Sequence, residues 1–128
     1  MKKSILVGIA GGSGSGKSTL TKGIIKSIGA DRTAVVEMDH YYKDTEGVED
    51  RALVNYDHPD SLDVELYREQ LVELLAGSPV EVPQYDFAIH RRLETTSRVE
   101  PQPLIIAEGI LLLHYEPVRL LCDVTVFV

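Results

Sequence analysis

The first regular feature along the chain is Ile5-Leu6-Val7-Gly8-Ile9-Ala10, a nearly unbroken apolar run that stops at a pair of glycines. Such a run is what a parallel strand covered on both faces requires, and it predicts the first strand of a sheet. Leu20, Ile24, Ile25 and Ile28 then recur at helical spacing, and Gly29 follows where a helix end favours a residue free to take positive φ. Thr33 to Met38 and Pro103 to Ala107 predict two more short strands, each with an acidic residue just downstream. Between them, Ser61 is placed to cap a helix whose apolar positions Val64, Tyr67, Leu71, Leu74 and Leu75 share one face, with Gly77 as its stop. Pro79 to Pro101 alternates only in short pieces and is rich in Pro, Thr and Val. It predicts an irregular hairpin or flap facing substrate, outside the main sheet. Ile110 to Leu121 predicts a short helix broken near Pro117, and Asp123 to Val128 a last β-branched strand. Strands that alternate with helices imply an α/β fold, a parallel sheet flanked by helices, with the flap inserted near 79–101.

Composition narrows this picture without changing it. A chain of 128 residues, 44% hydrophobic and 26% charged, has the size and balance of one globular domain, with no repeat or low-complexity tract. Thirteen Lys+Arg against twenty Asp+Glu give a formal charge of -7. That surplus argues against nucleic acid or an anionic membrane as a partner, and no local basic patch reverses it. Cys122 stands alone, so an internal disulfide is excluded and a reducing compartment such as the cytoplasm is expected. The apolar run after Lys2 and Lys3 ends at Ala10 in the glycine loop, so it reads as a strand and not an export signal. No stretch approaches the roughly 20 apolar residues that cross a bilayer, and a soluble protein is expected.

The chemistry begins where the first strand ends. Gly11-Gly12-Ser13-Gly14-Ser15-Gly16-Lys17-Ser18 matches G-x-x-x-x-G-K-[ST], with Thr19 following, and it lies between a predicted strand and a predicted helix. Glycines let the backbone curl so that successive N–H groups converge on phosphate oxygens, and the helix start adds the positive end of its dipole. Lys17 would neutralise the β/γ oxygens, and the Ser18 hydroxyl would reach Mg²⁺, which takes few protein ligands beside water and phosphate. A phosphate-binding loop (P-loop) for a nucleoside triphosphate with Mg²⁺ is therefore expected.

The loop alone does not choose among kinase, GTPase, motor and passive nucleotide binder. No Asn-Lys-x-Asp guanine-reading segment follows a strand, and the D-x-x-G spacing of Asp44 to Gly47 is a coincidence of a polar loop. No Leu-Ser-Gly-Gly segment of a transporter ATPase is present. Two carboxylates do stand at strand ends, Asp39 after Val35-Val36-Glu37-Met38 and Glu108 after Ile105-Ile106-Ala107. In a parallel sheet those ends gather on the face where the loop lies. Asp39 is then placed to accept a proton from an attacking hydroxyl and to approach the metal, and Glu108 to hold Mg²⁺ or its water. Each also has the plainer reading of a helix cap or a solvated turn.

Further segments carry a resemblance. Asp39-His40-Tyr41-Tyr42-Lys43-Asp44, Asn55-Tyr56-Asp57-His58-Pro59-Asp60, Pro83-Gln84-Tyr85-Asp86-Phe87 with His90 and Arg92, and Glu108-Gly109-Ile110-Leu111 closely resemble the uridine kinase (uridine–cytidine kinase) family of P-loop nucleoside kinases. The likeness runs in order from Ile5 to Val128 and is closer to that branch than to phosphoribulokinase. It implies transfer of the γ-phosphoryl group of ATP or GTP to the 5′-hydroxyl of uridine or cytidine, giving UMP or CMP in pyrimidine salvage. By resemblance Asp39 is the general base, and Ser18, Asp39 and Glu108 form the Mg²⁺ environment. Asp57 grips the ribose hydroxyls, while Tyr42, Tyr85, Phe87 and His90 surround the pyrimidine. With six Tyr and two Phe in the chain, core or flap packing competes with ligand contact, for Phe87 above all. Arg91 and Arg92 are left open between phosphate and local acids. The resemblance also implies a homo-oligomer.

The family pattern continues beyond Val128 with an Asp-rich turn, an arginine-bearing lid and a last strand. The 128 residues are therefore expected to be one P-loop kinase domain truncated at its C-terminus, without lid and last strand. Loss of a charge-offsetting arginine can cost about 10³ to 10⁵ in phosphoryl-transfer rate. A catalytically inert nucleotide-binding module or sensor is the alternative. Ser61-Leu62-Asp63 is a smaller departure, where the family usually places an aromatic before the second Asp.

Overall fold

A computed structural model of the chain describes residues 4–12, 16–42, 62–86, 88–89 and 91–128. In order it contains strand β1 (Ile5–Ala10), helix α1 (Lys17–Ile28), strand β2 (Thr33–Glu37), helix α2 (Val64–Leu75) and strands β3 (Val80–Asp86), β4 (Arg91–Val99) and β5 (Leu104–Gly109). A one-turn helix α3 (Glu116–Arg119) and strand β6 (Val124–Phe127) complete it. β1, β2, β5 and β6 form a parallel sheet in the order β2-β5-β1-β6, while β3 and β4 pair antiparallel with each other.

The unbroken apolar runs become the two central strands. β5 lies between β1 and β2, with Ile9 opposite Glu108 and Glu37 also opposite Glu108, so three strands end level with one another. Ile105, Ile106 and Ala107 are fully buried. β1 can run this deep because Gly8 lacks a side chain: a Cβ there would stand 2.7 Å from Cys122 Sγ. On the neighbouring strand Gly109 has the same function. A Cβ on it would meet Met38 Cβ at 2.8 Å, so its absence lets the turn that follows β2 fold over the end of β5. That turn, the 3-10 segment Met38–Tyr41, carries Asp39.

Helices α1 and α2 differ in how their predicted stripes are used. In α2, Tyr67, Leu71 and Leu74 are completely buried, the Tyr67 hydroxyl donates to the Val36 carbonyl at 2.7 Å, and its ring meets that of Tyr41 edge-on at 4.7 Å. Truncation of a leucine so placed costs about 2–5 kcal/mol. In α1 only Thr21 is buried, and Ile28 is 47% exposed. Both helices end before the glycines expected to stop them, Gly29 and Gly77.

Two local expectations need correction. The cap of α2 is Asp63, whose carboxylate accepts from Leu66 N at 3.2 Å, while Ser61 lies outside the described residues. Pro117 does not break a helix but begins one: its missing N–H costs nothing in the first turn of α3, and Leu112–His114 before it forms a separate 3-10 turn. The hairpin expected near 79–101 is present as β3 and β4, outside the main sheet and with a register shift between Pro83 and Tyr85, where a proline lacking its N–H belongs. It also belongs to the core more than expected. Val80, Val82 and Tyr85 face inward, and the Gln70 side-chain amide ties it to α2 by donating to the Glu81 carbonyl at 2.8 Å. Among the described residues no helix is long and apolar enough to cross a membrane.

Candidate active site

The site is built where β1, β2 and β5 end together. β1 delivers Gly11 and Gly12, and after 13–15 the chain reaches Gly16, whose φ of 96° is open to glycine at little cost. Gly16 is the N-cap of α1, so Lys17, Ser18 and Thr19 form its first turn, at the positive end of the helix dipole. Ser18 and Thr19 are exposed there. Ser13, Gly14 and Ser15 lie outside the described residues.

Lys17 and Glu108 come together, Nζ standing 3.6 Å from Oε1 with both side chains largely buried. Thr21, one turn after Lys17, completes the group. Its hydroxyl lies 2.8 Å from Glu108 Oε2 and 3.1 Å from the Lys17 carbonyl, and its one proton favours the nearer, charged acceptor. Glu108 is 7% exposed and therefore fixed from two sides, by an ammonium and a hydroxyl, both from α1. Nothing in the sequence singled out Thr21. Its signal was a polar residue on the inner face of a helix, four positions after the loop lysine.

Asp39 has a different setting. It stands exposed on its turn, and partial desolvation of the carboxyl raises its pKa above the ordinary 3.8, with Lys17 pulling the other way and Glu37 and Glu108 adding to the rise. Glu108 is paired with Lys17 directly, whereas Asp39 feels the lysine's charge from the neighbouring turn. Beside it, His40 Nε2 lies 3.0 Å from Glu37 Oε2. This hydrogen bond raises the histidine pKa and lowers that of Glu37. His40 had no expected role, and it now anchors the turn that presents Asp39.

The donor set of Ser18 hydroxyl, Asp39 carboxylate and Glu108 carboxylate consists only of hard oxygens, with a single cation between two acids. That chemistry fits Mg²⁺, which is held through one or two carboxylates and the substrate's phosphates. Among the described residues no group of three or more His, Cys, Asp and Glu is placed to hold a metal alone.

On the opposite side of Asp39, the Tyr42 and Tyr85 rings stand 5.6 Å apart at 53°, bringing together two residues expected near a base. Asp57, Phe87 and His90 lie outside the described residues. Arg92, left open by the sequence, reaches an acid and a carbonyl: Nη2 is 3.8 Å from Asp63 Oδ2 and donates to the Tyr42 carbonyl at 3.0 Å.

Comparison with known proteins agrees with this geometry. The family model described as Phosphoribulokinase / Uridine kinase family matches residues 6–128. A uridine kinase of Clostridium perfringens is 46% identical over all of this chain and 62% of its own length, so the chain spans about three-fifths of that curated relative. Among solved structures, a putative fructose transport system kinase from Silicibacter superposes with a TM-score of 0.80 at 27% identity, covering 99% of this chain and 66% of that one. A possible uridine kinase from Bacillus stearothermophilus gives 0.75 at 22% identity over 99% and 71%, which speaks to the fold alone. A sheet whose strand ends bring a glycine loop, a buried Lys17–Glu108 pair and Asp39 to one place, in a sequence matched from residue 6 to residue 128, belongs to the phosphoribulokinase / uridine kinase family.

Proposed function

We propose that the protein transfers the γ-phosphoryl group of ATP or GTP to the 5′-hydroxyl of uridine or cytidine, forming UMP or CMP. The observation that carries this is the unequal pair of acids. Glu108 is locked to Lys17 and Thr21, whereas Asp39 stands exposed on the neighbouring turn with a raised pKa. Asp39 is suited to accept the proton of the nucleoside hydroxyl as its oxygen bonds to the γ-phosphorus and the bond to the diphosphate breaks. Lys17 and the N-terminus of α1 hold the phosphates, with Gly11 through Thr19 as their cradle. Ser18, Asp39 and Glu108 would hold Mg²⁺, which when bound neutralises charge on the phosphate oxygens.

The acceptor is chosen on the other side. Tyr42 and Tyr85, packed against each other and nearly buried, form the wall behind the base in this reading, with Phe87 and His90 assigned to the same pocket and Asp57 to the ribose. The identity of 46% to a uridine kinase supports the pyrimidine nucleoside class over the sugar class named for the Silicibacter structure. Pyrimidine salvage in the cytoplasm, in a homo-oligomer, completes this reading. Because the chain spans 62% of that relative, the 128 residues by themselves have a second reading, nucleotide binding without turnover.

Incubation of the complete protein with ATP, Mg²⁺ and each nucleoside in turn, with product identified by mass, tests the proposal. Phosphorylation of uridine or cytidine in preference to purine nucleosides and sugars is expected. Phosphorylation of a sugar but no nucleoside would refute it. In the 128-residue chain, ATP binding without nucleoside-dependent ADP release would favour the second reading, nucleotide binding without turnover.

A further inference from the structure

Arg92 sits on β4 opposite Tyr85, yet its guanidinium serves two other elements. Nη2 donates to the carbonyl of Tyr42, the residue that ends the turn carrying Asp39. The same nitrogen pairs with Asp63, the N-cap of α2. Those two partners are themselves joined: Asp63 N donates to the Tyr41 carbonyl at 2.7 Å, and Tyr42 bridges Leu62 in antiparallel fashion. One side chain therefore holds the hairpin, the Asp39 turn and the start of α2 at a single junction.

We infer that Arg92 is a positioning residue that fixes the hairpin relative to the Asp39 turn and thereby tunes affinity for the nucleoside, resting on the assignment of Tyr42 and Tyr85 to the nucleoside pocket. Its side chain is 25% exposed, and Nε is buried without a hydrogen-bond partner among the described residues. A surface ion pair would leave that N–H in water. Arg92 instead keeps a buried donor that has no partner among the described residues, a cost that is sustained when the rest of the group does something a simpler side chain does not. Arg92 holds the Tyr42 carbonyl and is the cross-strand neighbour of Tyr85, so it links the two residues whose rings stand 5.6 Å apart. Among the described residues Arg92 makes no hydrogen bond or ion pair with Lys17 or Glu108, so its removal is expected to act on the nucleoside more than on ATP.

Steady-state kinetics of the complete protein with Arg92→Met, Arg92→Lys and Asp63→Asn test this. Arg92→Met keeps an apolar stem and removes the junction. It is expected to raise the KM for uridine about tenfold or more, since small displacements in a pocket are costly, with the KM for ATP within about twofold of wild type. Arg92→Lys, which restores a donor and a charge, is expected to recover most of the loss, and Asp63→Asn to show a smaller rise. Faster amide exchange confined to β3, β4 and residues 41–42 and 62–63 is expected in Arg92→Met. If that variant fails to fold, Asp63→Asn carries the test through a smaller but equally selective rise. An active wild type whose three variants keep the wild-type KM for uridine would overturn the positioning role alone. Equal losses for uridine and ATP would also overturn it. A wild type that phosphorylates no pyrimidine nucleoside would overturn the kinase assignment and this inference with it.

Discussion

The two sides of Asp39 are built in opposite ways. On the phosphate side, Lys17, Thr21 and Glu108 belong to α1 and β5, elements of the parallel core, and each touches another of the three. On the acceptor side, Tyr42, Tyr85 and Arg92 come from a turn and a hairpin whose outer strand β4 is largely exposed. The difference teaches where rigidity is placed. In the proposed reaction, the groups that would meet a common chemical unit, phosphate with its cation, are fixed by buried charge. In the same reaction, the groups that would choose the acceptor are held by a hairpin joined to the domain at its inner face and through Arg92.

The sharpest way to break this contrast is Lys17→Ala. It removes the cation that faces both Glu108 and Asp39 and is expected to lower kcat/KM by about 10²–10³-fold or more, with loss of ATP binding by calorimetry. Retained ATP affinity would mean that the loop backbone alone holds the phosphates. Glu108→Gln comes next. A tenfold to hundredfold rise in the Mg²⁺ concentration for half-maximal turnover is expected, on the scale of altered metal-site carboxylates, and an unchanged Mg²⁺ titration would make Glu108 only a partner of Lys17. Thr21→Val keeps shape but takes a hydrogen bond from a buried charge. Chemical denaturation should show a loss of about 1–3 kcal/mol, and an unchanged midpoint would show that Glu108 needs only the lysine.

The smallest effect concerns pH at the turn. His40 has its pKa raised, chiefly by its hydrogen bond to Glu37, so its contribution is complete below 6.5 and fades as pH rises through the elevated value. Glu37 is lowered by the same bond, so its contribution is complete above 4.5 and fades as pH falls through the lowered value. The pair is therefore intact between those limits. In Glu37→Gln, the His40 ring resonances should titrate closer to 6.5 than in wild type. An unshifted titration would remove the pair from the account of how Asp39 is presented.

Legibility followed the same division. The glycine loop, the strands at Ile5–Ala10 and Leu104–Gly109 and the stops at Gly29 and Gly77 were readable because each signal is local: apolar runs, helical spacing and a fixed motif. The acid pair was readable because strand ends in a parallel sheet gather by topology. Thr21 was not, since its partner is 87 positions away and only packing of α1 against β5 joins them. The cap of α2 was misplaced by two residues because Ser61 and Asp63 are both good caps, and tertiary contact with Tyr41 selected the second. Pro117 was misread because a proline inside a helix and a proline starting one look alike until the preceding turn is known. Arg92 could not be assigned from a sequence in which any nearby acid or phosphate would serve.

The account rests on Asp39 and Glu108 having different tasks, and Asp39→Asn tests it most directly. Asp39 has a raised pKa and must be ionised to accept a proton, so wild-type activity should rise with pH through a value above 3.8 on the acid side. Measured side by side in the complete protein, Asp39→Asn should keep ATP affinity within about threefold while UMP formation falls by about 10²–10⁴, the range of a lost general base. A variant that forms UMP at the wild-type rate, or one that loses ATP binding and turnover together, would contradict the assignment of the base.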